Sequence, residues 1–188
     1  MVVELYYLLM ILRVVLIIII FLILFGIGFI MLSFRNIVPF VPTPKKIARK
    51  MVELAQIKKD ERICDLGSGT GRIILAAAKE SKQNLIIGVE LSPTLRFVTK
   101  LILLFHPLIR KRIQIINQNF FNLDLRSFDV IFAFITPEGL RRLTEKFKLL
   151  KKGSRIVTYM FPLEDTISFD VQVAHVSSKD SIYIYTKT

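Results

Sequence analysis

Residues 65–72 read Asp-Leu-Gly-Ser-Gly-Thr-Gly-Arg, and no other stretch constrains the fold as much. Arg62-Ile63-Cys64 before it is a short apolar run bounded by charge, the pattern of a buried strand. Ile73-Ile74-Leu75-Ala76-Ala77-Ala78-Lys79-Glu80 after it has the pattern of a helix. A strand, a glycine-rich turn and a helix bring backbone N–H groups and the positive end of a helix dipole to one point. Glycines at 67, 69 and 71 remove the Cβ atoms that would keep a ligand at a distance. The spacing is G-x-G-x-G, not the G-x-G-x-x-G of dinucleotide sites. No lysine of the Walker type follows, which disfavours a nucleoside triphosphate. Asp65 closes the strand just ahead of the first glycine. A ligand with an amino acid end and a nucleoside end fits this turn, and S-adenosyl-L-methionine is such a ligand.

The other half of the site follows. Leu85-Ile86-Ile87-Gly88-Val89-Glu90 is an apolar strand that ends in a carboxylate. Glu90 lies 19 residues after Gly71, close to the spacing of ~20 at which an acid meets ribose hydroxyls in such folds. One carboxylate accepts hydrogen bonds from both hydroxyls of a ribose. The plain alternative is a structural turn with Glu90 as a solvated strand end.

The chain has 188 residues, the size of one α/β domain, plus a segment of another kind. Residues 14–32 hold no charge and no strongly polar side chain. At ~1.5 Å per residue such a helix is roughly 28 Å long, near the thickness of a bilayer core. Tyr6 and Tyr7 suit the interface, and Arg13 suits a snorkelling border position. A cleaved signal peptide is the rival, with a shorter apolar region and small residues at the cleavage site; Met31-Leu32-Ser33-Phe34-Arg35 does not offer these. The expectation is a single-pass anchor. Arg35, Lys45, Lys46, Arg49 and Lys50 follow it, against Glu4 and Arg13 before it, so the positive-inside rule puts the domain on the cytoplasmic side.

Net charge is +12, from 27 Lys+Arg against 15 Asp+Glu. This reads as a solvated basic surface or as attraction to anionic lipid beside the anchor. Nucleic acid is the weakest reading, because the basic clusters are short and no aromatic-interleaved basic motif occurs. Cys64 is the single cysteine, so no disulfide forms within the chain. His106 and His175 look structural, and no metal-ligand cluster is expected.

Residues 36–44 form a linker with three prolines, and Thr43-Pro44 reads as the N-cap and first position of a helix running to about Gln56. Strands follow over 62–66, 85–90, 112–117, 128–134 and 154–160, alternating with helices over 71–81, from Ser92-Pro93 to Phe105, and from Pro137 to Lys152-Gly153. Residues 171–176 and 182–186 alternate like a hairpin. The fold class is therefore α/β: a doubly wound, Rossmann-like, mostly parallel seven-stranded sheet with a C-terminal antiparallel hairpin and one N-terminal transmembrane helix. The organisation expected is an anchor over 1–35, a proline-rich linker and first domain helix over 36–60, and a catalytic domain over 61–188.

Residues 37–188 resemble a class I S-adenosylmethionine-dependent methyltransferase. Val38-Pro39-Phe40-Val41-Pro42-Thr43-Pro44, the Asp65–Ile73 turn and Asn119-Phe120-Phe121 are similar to one protein-lysine methyltransferase family. That family includes membrane-anchored enzymes acting on the ATP synthase c-subunit and the adenine nucleotide translocase, and archaeal lysine methyltransferases. The resemblance implies that Asp65, Gly67, Ser68, Gly69 and Gly71 hold the methionyl end and that Glu90 binds the ribose. It implies further that Asn119 and Phe120 lie beside adenine and that Thr43 closes over the amino acid end. Bland readings stand beside these: Asn119 a turn residue, Phe120 core, Thr43 an N-cap.

For catalysis, Phe134 would wall an acceptor channel and Glu138 would orient the amine, or Glu138 is simply a first-turn helix acid. A protein with an accessible lysine is the expected partner. A lipid or small apolar acceptor, RNA, or cofactor binding without catalysis are the alternatives. The stretch Phe134-Ile135-Thr136-Pro137-Glu138 departs from the Asn/Asp-Pro-Pro-aromatic motif of enzymes that methylate base amino groups.

Overall fold

The computed structural model describes residues 2–34, 41–178 and 180–188. The linker residues 35–40, with Val38, Pro39 and Phe40 of the proline-rich motif, lie outside the described residues. Contacts divide the chain into units 1–40 and 41–188.

The first unit carries α1, Val2–Phe34. Its stretch Tyr6–Gly28 is long and apolar enough to cross a bilayer, with mean hydropathy 3.4. The helix begins well before residue 14, so Arg13 lies inside it rather than at its border. Nothing in residues 2–13 interrupts the helix, and a single arginine is a good helix former.

The second unit is a seven-stranded sheet in the order β3-β2-β1-β4-β5-β7-β6. Strands β1 (Ile63–Leu66), β2 (Ile86–Val89), β3 (Ile113–Ile116), β4 (Val130–Ala133) and β5 (Arg155–Tyr159) are parallel. β6 (Phe169–His175) and β7 (Ser181–Lys187) add the expected antiparallel hairpin, with β7 against β5. β1, β2, β4 and β5 are buried along their whole length, which is why they read as continuous apolar runs.

Helices cover the sheet. α2 (Lys45–Ala55) buries Ile47, Ala48, Met51, Val52 and Ala55, one stripe at helical spacing. α3 (Arg72–Glu80) buries Ile73, Ile74, Ala77 and Ala78. α4 (Pro93–Leu104), α5 (Pro107–Arg110) and α6 (Pro137–Lys148) complete the set. Three details depart from expectation. Pro44, not Thr43, holds the N-cap of α2, and no side chain caps that end. Pro107 starts α5 as well as ending α4, because proline suits the first turn of a helix. α6 stops at Lys148, and Gly153, at φ +83°, instead forms the turn into β5.

Candidate functional site

The strand order reverses between β1 and β4, since β2 and β3 lie to one side and β5 to the other. In an open α/β sheet, ligands bind at the carboxyl ends of the strands at this switch point. The loops leaving β1 and β4 are residues 67–71 and 134–136, so the glycine turn sits where the topology demands it.

The turn folds back over β2: the N–H groups of Gly67 and Ser68 both donate to the Val89 carbonyl, at 2.9 and 3.0 Å. Gly71 has φ +79°, and a Cβ there would stand 2.8 Å from Thr99 Cγ2, so this position excludes other residues twice over. Above Gly67, at φ +76°, a Cβ would meet only Ile135 Cγ2 and Phe120 Cε1, each at 3.8 Å. That is an open cradle with an aromatic wall. The Ser68 hydroxyl is buried without a hydrogen-bond partner among the described residues. A buried hydroxyl left this way asks for a polar atom from a ligand or water.

Glu90 is buried and fixed by two elements. Its Oε2 accepts from Gly69 N at 2.9 Å and its Oε1 from Ser92 N at 2.8 Å. Each oxygen keeps a further lone-pair direction for a hydroxyl. Asp65 is buried beneath the turn, and its carboxyl is pushed up to about 8 by burial and then by the charge of Glu90. The same burial raises the Cys64 thiol, so it is an inert core group. Two carboxyl groups held together in a low-dielectric site favour a ligand that brings positive charge.

The remaining candidates are placed as follows. Phe120 faces Gly67, and Asn119 caps a single 3-10 turn, Phe120–Asn122, by accepting from Phe121 N at 3.0 Å. Thr43 is buried, and its carbonyl accepts from Arg72 Nη1 at 2.9 Å. Phe134 packs against Tyr159 with ring centroids 4.9 Å apart. Glu138 does not join this group: it is exposed and pairs with Arg141 at 2.6 Å.

Sequence reasoning missed three participants. Thr99 Oγ1 donates to the Gly69 carbonyl at 2.7 Å, Arg72 ties Thr43 to the end of the turn, and Ile135 closes the cradle. A lone threonine on the inward face of an apolar helix was the available signal for Thr99.

A doubly wound sheet with this glycine turn, an aromatic wall and a buried pair of carboxyl groups at its switch point defines an S-adenosyl-L-methionine-dependent methyltransferase. The open position above Gly67, the buried Ser68 hydroxyl without a partner among the described residues and the acceptor capacity left on Glu90 fit a group of that kind. The chain belongs to the family of the ANTKMT methyltransferase domain, which matches residues 65–169. It is 33% identical over 150 residues to a protein-lysine N-methyltransferase of Saccharolobus islandicus, covering 79% of this chain and 92% of that one. It is 26% identical over 126 residues to the mouse lysine N-methyltransferase of the ATP synthase c-subunit, covering 66% of this chain and 49% of that one. Among solved structures, an RNA methyltransferase from Salinibacter ruber in complex with S-adenosyl-L-homocysteine superposes with TM-score 0.71 at 25% identity. That match covers 78% of this chain and 94% of the other. Among the described residues, no cluster of His, Cys, Asp and Glu forms a metal centre.

Proposed function

We propose that this methyltransferase modifies lysine side chains of proteins at a membrane surface, that α1 anchors it there, and that its domain lies on the cytoplasmic side. The observation that carries the acceptor is the likeness to the Saccharolobus protein-lysine N-methyltransferase over 79% of the chain. The anchor is supported by the apolar stretch Tyr6–Gly28, and the orientation by the basic residues that follow it. From residue 34 to residue 44 there are ten residues. At ~3.5 Å each they reach roughly 35 Å, so an anchored domain meets membrane proteins at a raised effective concentration.

S-adenosyl-L-methionine, when bound, supplies a methyl group on a sulfonium that departs as a neutral thioether. The protein's task is then placement. The glycine turn, Glu90 and Phe120 orient the donor end, and reacting atoms held ~3–3.5 Å apart account for much of the rate. The acceptor amine must arrive neutral, and a free lysine has pKa ~10.4. Phe134, partly buried just past the end of β4, offers an apolar surface that would lower that value by desolvation. A lysine acceptor would have to give up its ammonium proton to solvent before its nitrogen could take the methyl group. Glu138 would assist only after leaving Arg141.

Incubation of the full chain with tritiated S-adenosyl-L-methionine and total membranes, followed by separation into protein, lipid and RNA, tests the acceptor. Label in protein lysine supports the reading. Label confined to lipid or RNA overturns it and selects the corresponding alternative. A reporter fused after Thr188 tests the orientation, which fails if a reporter active only outside the cytoplasm becomes active.

A further inference from the structure

Most surface helices bury one apolar stripe and present a polar one to water. α4 breaks this rule. It buries Leu95, Thr99 and Leu103, as expected. Its opposite face carries Phe97, Leu101 and Leu104, all exposed, and the chain beyond it adds Phe105 at 84% and Leu108 at 90% exposure. Positions 97, 101 and 104 fall on one side of the helix by their spacing of four and three. Large apolar side chains this exposed and this contiguous mark an interaction surface.

The charge along this stretch of chain has one sign. Between Glu90 and Asp124 lie 33 residues without an acidic side chain, and they include Arg96, Lys100, Arg110, Lys111 and Arg112. Arg112 is committed to the carbonyls of Ala78 and Ser81. Lys100, Arg110 and Lys111 are exposed and make no ion pair among the described residues. Phenylalanine and leucine on the outward face with a cationic rim is the composition of an interfacial helix on anionic lipid.

We propose that the outward face of α4 together with the Phe105–Lys111 segment is a docking surface for a bilayer containing anionic phospholipid. Charge complementarity selects this occupant. A second copy of the chain would bring two basic rims together, and an apolar groove in another protein would leave Lys100, Arg110 and Lys111 without partners. The surface is separate from α1, though it rests on the same membrane location. It would give the domain a second point of attachment and so a fixed orientation over the headgroups.

The test uses the full chain in nanodiscs of mixed neutral and anionic phospholipid with brominated acyl chains. Leu104→Cys and Leu108→Cys each carry an environment-sensitive dye; Phe21→Cys reports on α1, and Val171→Cys is a control on exposed β6. The native Cys64 is buried and stays unlabelled. The expected result is blue-shifted emission and loss of most of it by quenching at 104 and 108, with none at 171. Replacing Lys100, Arg110 and Lys111 together by Glu should abolish quenching at 104 while S-adenosyl-L-homocysteine binding is retained. Quenching at 21 with unchanged emission at 104 and 108 overturns the docking surface and leaves the anchor standing. Quenching at 104 and 108 without quenching at 21 supports the surface and removes the anchor. A copy-to-copy disulfide formed by unlabelled Leu104→Cys, with the labelled probe unquenched, overturns the lipid occupant, and quenching that survives the charge reversal overturns the role given to anionic phospholipid.

Discussion

The loop after β1 and the loop after β4 face each other across the switch point and are built in opposite ways. The first is overdetermined. Val89, Glu90 and Thr99 each bind its backbone, and Arg72 clamps the segment before α2 to its far end. The second is short and uncharged, Phe134-Ile135-Thr136, and the first acid after it, Glu138 in the first turn of α6, is turned outward onto Arg141. A fixed donor side and a spare acceptor side teach that this domain stores its specificity for the cofactor in backbone geometry. An acceptor would have to bring much of its own positioning from its own surface.

The largest effect should come from filling the cradle. Gly67→Arg puts a long side chain where only Phe120 and Ile135 now stand, at a φ of +76°. Calorimetry should find no binding of S-adenosyl-L-methionine or S-adenosyl-L-homocysteine; normal binding would remove the donor-side assignment. Next comes Thr99→Val, which deletes the hydrogen bond to Gly69 and should cost about 1 kcal/mol of stability, read by urea denaturation, with a weaker cofactor affinity. An unchanged affinity would mean that the turn holds its shape without α4.

Asp65 gives a pH test. Its carboxyl is raised from 3.8 to about 8 in the folded protein, so between those values the folded state keeps a proton that the unfolded state has released. This group's contribution is therefore greatest at low pH and declines as pH rises through that window. Unfolding free energy without cofactor should fall by up to about 1.4 kcal/mol per pH unit from this group. Asp65→Asn should flatten the dependence. A slope identical to that of the unaltered protein would mean that Asp65 is ionised in the folded state. The smallest effect is expected on the acceptor side, at the first turn of α6 that follows the loop. Glu138→Gln should change kcat/KM by less than about threefold, the scale of an exposed ion pair. A loss of several orders of magnitude there would make the acceptor loop as exacting as the donor loop and end the contrast.

The donor loop was legible because positive φ writes itself into sequence as glycine, and because buried parallel strands are plain apolar runs. The hairpin was legible from its alternation. What escaped depends on distance in the chain or on context. Thr99 meets Gly69 across 30 residues. The partner of Glu138 is set by which way a first-turn side chain leans. The end of α6 was misplaced because Gly153 serves the following turn, and a glycine does not announce which neighbour it terminates. The α4 stripe is legible in sequence only as the apolar run Leu101–Phe105, which could touch a bilayer; which side chains face outward is set by burial.

The bond from Arg72 to the Thr43 carbonyl has a mechanical side. Val41 is where the described domain begins, and the chain before it leads back to α1. A pull on that leader is borne first at Thr43, and there it divides. One share passes through α2 into its buried stripe against the core. The other passes through a single guanidinium to the first residue after Gly71. If α1 anchors the chain as proposed, the glycine turn would be joined to the tether through this one hydrogen bond, beside the packing of α2 against the core.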